Sequence, residues 1–278
     1  MWNLKKPDVS RVRDDLDTVF PDDQAGLVVG SVQKDVIERL YNEYIQANGR
    51  PNSAWLQGGL SKSVREALLE AYGQVSDTGK LSTLRSALKL SVNECPYCGF
   101  GEIKDLDHHL QKAHYNCFSI FPLNLVPACS KCNGHKPRKP RSDPNKHHLH
   151  AYLEDVSKHR FLVAAVTIKG KAMSVEFKIK RSAGMNRELK ARLEQHLDDF
   201  HLNDRYPAQV NIFLSEQKTG IEMAYEYGGA KGLRMFLERS AAADEDVFGK
   251  NDWRAALLLA LAKCKPFCKG GFYKVLGY

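Results

Sequence analysis

Two segments of the sequence decide the fold: CPYCGFGEIKDLDHHL at residues 95–110 and FPLNLVPACSKCNGHK at residues 121–136. Each segment contains a C-x-x-C pair. The four cysteines are Cys95, Cys98, Cys129 and Cys132. Four thiolates in two such pairs are the usual ligand set of a closed tetrahedral zinc site, and the glycine after the first pair suits a tight ligand-bearing turn. The sequence therefore predicts a structural Zn²⁺ ion that joins the two segments.

Length and composition limit the number of domains and the classes of protein to which this chain can belong. The chain has 278 residues, enough for one or two domains, and its 43% hydrophobic and 27% charged residues are typical of a globular protein. The formal net charge of +8 favours a polyanionic partner such as nucleic acid. No stretch approaches the roughly 18 apolar residues of a membrane span, and seven cysteines argue against a disulfide framework. We expect a cytoplasmic protein with no membrane contact.

The insert between the cysteine pairs is dense in polar groups that bind metals or move protons. Its notable side chains are Asp107, His108, His109, His114 and Asn124. Alternating apolar residues predict a short strand within residues 102–110 and a second one within residues 123–128. From Cys129 onward, two cysteines, Asn133 and Lys136 follow the i, i+3, i+4, i+7 spacing of one helix face. The predicted zinc ion would hold this helix against the strands.

The phrases LDHH, NLVPAC and CN around the paired knuckles resemble the HNH endonuclease motif, a ββα-metal fold, over about residues 93–137. The resemblance implies that Asp107 binds the catalytic metal, that His108 is the catalytic histidine and that Asn133 is the metal ligand on the helix. Asn124 matches the middle asparagine, which orients the histidine-bearing loop. His109 stays open as an alternative to His108, and His135 as an alternative to Asn133.

Phosphodiester hydrolysis agrees with these residue types. It requires a nucleophilic water and stabilisation of the charge on the phosphoryl oxygens. A histidine with an ordinary pKa near 6.5 accepts the proton of that water at neutral pH. The oxygens of Asp107 and Asn133 suit a hard cation, Mg²⁺ or Mn²⁺. We expect a metal-dependent endonuclease that acts on nucleic acid, with DNA favoured over RNA.

A basic stretch follows the motif. Residues 135–150, HKPRKPRSDPNKHHLH, hold five Lys or Arg residues and three prolines, so we expect an extended loop rather than a helix. The side chains that could follow a phosphate backbone are Lys136, Arg138, Lys139 and Arg141. A solvated linker is the alternative interpretation.

The whole chain is predicted to be α+β, with a zinc-stapled ββα-metal core at residues 93–150 between a helical region, 1–92, and an α+β region, 151–278. The predicted flanking elements are helices at 32–48, 61–72 and 81–91, a β-hairpin from 160–168 and 173–180 with a turn at Gly170, a helix through Leu189, Leu193 and Leu197, and an apolar helix at 252–264.

Three functional hypotheses remain from the sequence. The order of parts is similar to HNH subunits of bacterial anti-phage systems, Septu-type and some retron-associated ones, which implies an ABC-type ATPase partner that gates cleavage and apolar helices that are exposed without it. A free-standing restriction or mobile-element endonuclease would instead cleave alone. A non-catalytic zinc module that binds nucleic acid or assembles a complex would not need the set of Asp107, His108, Asn124 and Asn133.

Overall fold

The computed structural model describes residues 3–22, 27–137, 139 and 141–277. Helices and small antiparallel sheets both occur, so the α+β fold class is confirmed. The chain folds as two compact units, Trp2–Asp155 and Val156–Tyr278. In the part of the chain that the structure describes, no helix has the length and apolar character needed to cross a bilayer.

Within its described residues, the first unit has four α-helices before Cys95 and one short α-helix that contains Cys132. These elements are α1 (Val12–Val19), α2 (Ser31–Gln46), α3 (Lys62–Ala71), α4 (Ser82–Leu90), β1 (Asp105–His108), β2 (Leu125–Ala128) and α5 (Ser130–His135). The predicted helices at 32–48, 61–72 and 81–91 are therefore confirmed with slightly shorter bounds. Helix α3 begins as expected, because the hydroxyl of Ser61 accepts a hydrogen bond from the backbone N–H of Val64 at 3.3 Å.

Strands β1 and β2 form an antiparallel pair that leads directly into α5. Asp105 pairs with Ala128 and His108 with Leu125, so the two predicted strands are confirmed and span four residues each. Cys129 caps α5, since its sulfur accepts a hydrogen bond from the backbone N–H of Cys132 at 3.4 Å. The order β1, β2, α5 brings both cysteine pairs to one end of the hairpin.

Aromatic packing joins α2 to this hairpin within the first unit. The ring of Tyr41 stacks on Phe121 with centroids 4.0 Å apart, and the ring of Tyr44 lies 4.8 Å from that of Phe118. All four side chains are buried. The expected division between a helical region, 1–92, and a core, 93–150, does not separate compact units, because these rings place both segments around one hydrophobic core.

The described part of the second unit contains a β-hairpin and four α-helices. They are β3 (Leu162–Lys169), β4 (Ala172–Ile179), α6 (Arg187–Asp199), α7 (Leu202–Phe248), α8 (Trp253–Lys263) and α9 (Phe272–Val275). The predicted hairpin is confirmed: Leu162 pairs with Ile179, and Gly170 adopts φ +62° in the turn. The expected helices through Leu193 and over 252–264 also form.

The apolar helix α8 is buried, so it does not offer an exposed docking face. Trp253 packs against Tyr206 and Phe213 of α7 with ring centroids 5.8 and 5.7 Å away. Leu257, like most of the leucines of α8, is inaccessible to solvent. The apolar stretch is therefore part of the core, because α7, an element that the sequence did not predict, packs against it.

Candidate active site and metal centre

The side chains of the four cysteines in the two pairs form one cluster. The sulfur atoms of Cys95, Cys98, Cys129 and Cys132 lie within 4.8 Å of one another, and all four residues are buried. This cluster could hold a structural metal ion such as zinc. It joins the loop before β1 to the start of α5.

Two glycines allow the first cysteine loop to close around this cluster. Gly99 adopts φ +73°, a conformation that other residues rarely take, and its N–H donates to the carbonyl of Cys95 at 2.8 Å. A Cβ atom at Gly101 would lie 2.7 Å from the sulfur of Cys129, closer than atoms normally approach. Any larger residue at position 101 would therefore push into the sulfur cluster.

Asp107 lies on β1 with its carboxylate buried between two donors. The hydroxyl of Tyr97 and the ammonium group of Lys136 each donate to Oδ2 at 2.6 Å. Burial raises the pKa of Tyr97 well above its usual value, so the tyrosine stays protonated and keeps donating. No described residue donates to the other oxygen, Oδ1, which leaves one carboxylate oxygen for a ligand.

Lys136 belongs to this site and not to an exposed basic loop. Its ammonium group donates to Asp107 and to the backbone carbonyls of His108 and His109, at 2.6, 2.6 and 3.1 Å. The side chain is buried, and burial lowers its pKa although Asp107 opposes this effect. The expectation that Lys136 contacts a phosphate backbone is therefore corrected: three acceptors inside the protein already take its three N–H groups.

The rest of the basic loop is only partly described. Lys139 is exposed, and the guanidinium of Arg141 donates to the carbonyl of Lys146 at 2.9 Å. Arg138, also expected to contact nucleic acid, lies outside the described residues.

His108 is held in one tautomer by the backbone. Its Nε2 atom lies 2.9 Å from the carbonyl oxygen of Ser119, and because a carbonyl only accepts, Nε2 carries the hydrogen. Burial, with the nearby ammonium groups of Lys112 and Lys136, lowers the pKa of His108 to about 3. The ring is therefore neutral at physiological pH, and Nδ1 is left with a lone pair that can accept a proton.

Asn124 is buried and makes four hydrogen bonds. Its amide nitrogen donates to the carbonyls of Leu110 and Phe118 at 2.9 and 3.0 Å. Its carbonyl oxygen accepts from the N–H of Leu110 at 2.7 Å and from the hydroxyl of Tyr44 at 3.0 Å. Asn124 thus holds Leu110 and Phe118, at the two ends of the loop that follows His108.

A second layer supports Asn124. His150 lies 2.9 Å from the hydroxyl of Tyr44, and its Nδ1 accepts from the backbone N–H of Tyr152 at 3.1 Å. Nε2 of a neutral His150 therefore donates to Tyr44, whose hydroxyl donates to Asn124. Gly49 lets this ring approach, because a Cβ there would lie 2.2 Å from the His150 ring.

Asn133 lies on α5 and uses its amide nitrogen to donate to Asp105 at 3.1 Å. Its carbonyl oxygen receives no hydrogen bond from any described residue, so Asn133, like Asp107, keeps one oxygen for a ligand. Carboxylate and amide oxygens are the donors that hard divalent cations prefer. His135, the alternative to Asn133, is exposed at the end of α5.

One open groove of about 390 Å³ collects the central residues. It is lined by Asp107, His108, Lys112, Asn133 and Lys136, together with Gln111 and the neighbouring loop backbone. His109 lines a different cavity of about 50 Å³, and the centroid of its ring lies 4.2 Å from that of His150. Of the two candidate histidines, His108 is therefore the one that shares a groove with Asp107 and Asn133.

Sequence reasoning missed the residues that hold this site together. Tyr97 lies between Cys95 and Cys98, where the cysteines draw the attention. Tyr44 lies 80 residues before Asn124 and His150 lies 26 residues after it, so no local pattern connects them to the site. One sequence signal could have placed Lys136 in the site: it follows Asn133 by three residues, a spacing that puts both side chains on the same helix face.

Comparison with known proteins adds one distant relative. No family model matches the chain, and no solved structure matches it. Protein ea31 of Escherichia phage lambda is 26% identical over 178 residues, and the match covers 60% of this chain. The match spans only 60% of that relative's own length, and the similarity is too low to assign a family.

Proposed function

We propose that this protein is a metal-dependent endonuclease of the HNH type, which hydrolyses phosphodiester bonds in nucleic acid, with DNA as the favoured substrate. The observation that supports it best is the meeting of His108, Asp107 and Asn133 in one groove. The order β1, β2, α5 agrees with the ββα arrangement of that family.

His108 is the general base in this proposal. The carbonyl of Ser119 fixes the hydrogen on Nε2, so Nδ1 accepts the proton of the attacking water. The low pKa of His108 has two causes, burial and nearby positive charge, and a bound phosphate supplies negative charge that opposes the second. The base is then neutral before the reaction and becomes more basic as substrate binds.

Asp107 and Asn133 would hold the catalytic Mg²⁺ or Mn²⁺ through the oxygens that accept no internal hydrogen bond. When bound, the ion supplies positive charge that stabilises the phosphoryl oxygens and the leaving oxygen. Tyr97 and Lys136 hold the Asp107 carboxylate in a fixed orientation, and Asn124 holds the loop behind His108.

The cysteine cluster would hold a structural Zn²⁺ ion. Four Zn–S bonds of about 2.3 Å in a tetrahedron separate the sulfurs by about 3.8 Å. The sulfurs of Cys98 and Cys129 are 3.9 Å apart, which agrees with that geometry. By fixing Cys132 at the start of α5, the ion would also fix Asn133, the next residue.

The net charge of +8 and the exposed side chain of Lys139 support a nucleic-acid substrate. Gating by an ABC-type ATPase stays a prediction. The described apolar side chains available to such a partner include Ile212, Met223 and Tyr227 on α7, which are exposed, whereas α8 is not.

Cleavage of nucleic acid by the purified, zinc-loaded chain tests the proposal. Supercoiled plasmid and a structured RNA are each incubated with Mg²⁺, with Mn²⁺ and with both ions omitted, beside a His108→Ala variant. We expect nicking of DNA that requires a divalent ion and is lost in the variant. A folded chain that binds DNA but cuts neither substrate would favour a non-catalytic zinc module or a partner-gated nuclease.

A further inference from the structure

We propose that Lys112 is a further substrate-contacting residue, whose ammonium group binds a non-bridging oxygen of the phosphate held in the His108 groove. This inference rests on the proposed nuclease function. No motif in the sequence singles out Lys112, and the assignment comes from its surroundings.

The loop after β1 presents Lys112 in a fixed place. The side-chain amide of Asn116 donates to the backbone carbonyl of Lys112 at 2.7 Å, and the N–H groups of His114 and Tyr115 donate to the carbonyl of Gln111. Asn124 ties the start of the same loop at Leu110. The backbone that carries Lys112 is therefore anchored to the residues that orient His108.

The ring of Tyr72 brings Lys112 and His108 together. The ammonium nitrogen of Lys112 lies 3.9 Å from the centre of the ring, and the imidazole of His108 contacts the same ring edge-on with centroids 4.4 Å apart. Tyr72 is itself positioned by a hydrogen bond from its hydroxyl to the carbonyl of Leu106 at 3.2 Å. A cation on an aromatic face keeps its N–H groups for other acceptors.

Charge makes an anion the natural ligand of Lys112. The groove holds two ammonium groups, and that of Lys136 is neutralised by Asp107. Among the described residues, no carboxylate forms an ion pair with Lys112, although the side chain is partly buried. Burial lowers the pKa of Lys112, and no described carboxylate opposes that effect as Asp107 does for Lys136. A phosphate in the groove would supply that negative charge beside the general base.

The test measures DNA binding by the full chain as a function of salt. Lys112→Gln and Lys112→Met are each made in a His108→Ala background, so that cleavage does not interfere, and fluorescence anisotropy of a labelled duplex gives the affinity. Methionine keeps the apolar stem on Tyr72, so one neutral variant remains if the other unfolds. Lys104→Gln is the matched control, because Lys104 is exposed and near β1 but pairs with Glu102 at 3.1 Å.

We expect each neutral variant to reduce the slope of log affinity against log salt by about one, with the control unchanged. In the His108 chain, cleavage at low DNA concentration should fall by about 10- to 100-fold, as expected for a lost charged hydrogen bond, and Lys112→Arg should recover part of it. An unchanged slope in both neutral variants would overturn the inference even if the parent cleaves. A reduced slope with a parent that never cleaves would keep Lys112 as a phosphate contact and would overturn only cleavage by the chain alone.

Discussion

At the scale of single residues, the site depends on one buried amide. Asn124 uses two donors and two acceptor positions to hold Leu110, Phe118 and Tyr44, so each polar atom of its side chain has a defined partner. Few other side chains can replace it, since the position requires two donors and an acceptor in a fixed plane.

An Asn124→Asp substitution tests this interpretation. The carboxylate cannot donate to the carbonyls of Leu110 and Phe118 and would leave a buried charge, so we expect the free energy of unfolding to fall by about 3 kcal/mol. Urea denaturation measures the change. Asn211→Asp, on an exposed position of α7, is the control and should change stability by less than about 0.5 kcal/mol. Equal effects at the two positions would show that the hydrogen bonds of Asn124 contribute little.

Acid should destabilise the protein through His108. The folded chain has a pKa of about 3 for this group, against 6.5 in an unfolded chain, so between these pH values the unfolded state binds more protons. The stability contributed by neutral His108 is complete above about pH 6.5 and is lost as the pH falls toward 3. In that range it contributes at most about 1.4 kcal/mol per pH unit.

Unfolding free energies at several pH values, for the parent and for His108→Gln, measure this contribution. We expect the parent to lose stability more steeply than the variant between about pH 6 and pH 4. Parallel curves would mean that His108 is not held neutral by burial.

At the scale of elements, α7 is interrupted by a glycine. Gly229 has φ +58° and ψ −153°, which is not helical, so the 47-residue segment is bent at this point. Gly228, directly before it, does not have this positive φ, and at neither glycine would an added Cβ meet another part of the protein within 4 Å. Backbone strain alone therefore distinguishes the two positions.

Alanine substitutions at these neighbouring glycines give a matched pair. Gly229→Ala should lower the free energy of unfolding by about 1–3 kcal/mol, because alanine rarely adopts that conformation. Gly228→Ala should be neutral or slightly stabilising. Thermal or urea unfolding measures both, and equal changes would argue against the bend at Gly229.

The sequence predicts an element well when the residues that determine it lie close together in the chain. The β1–β2 hairpin, α5 and the β3–β4 hairpin follow from alternation, cysteine spacing and a glycine turn, all of which lie within a few residues. Helix α7 has apolar residues on several sides and two central glycines, so no single stripe marks it. The contacts of Tyr97, Lys136 and His150 could not be predicted, because they depend on the packing of distant segments.

At the scale of the whole molecule, different groups stabilise the two compact units. The unit Trp2–Asp155 contains the four cysteines, whereas Val156–Tyr278 has a core formed by its hairpin, α7 and α8. Within the second unit, the side-chain carbonyl of Asn251 accepts from the N–H groups of Phe161 and Leu162 at 2.7 and 3.2 Å. A metal ion bound by the cysteines should therefore stabilise the first unit in particular.

Removal of zinc tests this division. With a zinc chelator, peptides from residues 95–136 should lose protection in hydrogen exchange read by mass spectrometry, because the knuckle and α5 depend on the ion. Peptides from β3, β4 and α8 should keep their protection. Restoring zinc should reverse the effect, and equal loss in both units would contradict their independence.

The most direct test of the nuclease proposal is a single-turnover cleavage measurement on a matched pair, His108→Asn and His109→Asn, beside the parent. Both side chains are buried and adjacent, but only His108 lines the groove with Asp107 and Asn133. The account predicts divalent-ion-dependent cleavage by the parent, a loss of at least about 100-fold in His108→Asn, and a much smaller loss in His109→Asn, provided that both variants stay folded. Equal losses, or a fully active His108→Asn, would contradict it.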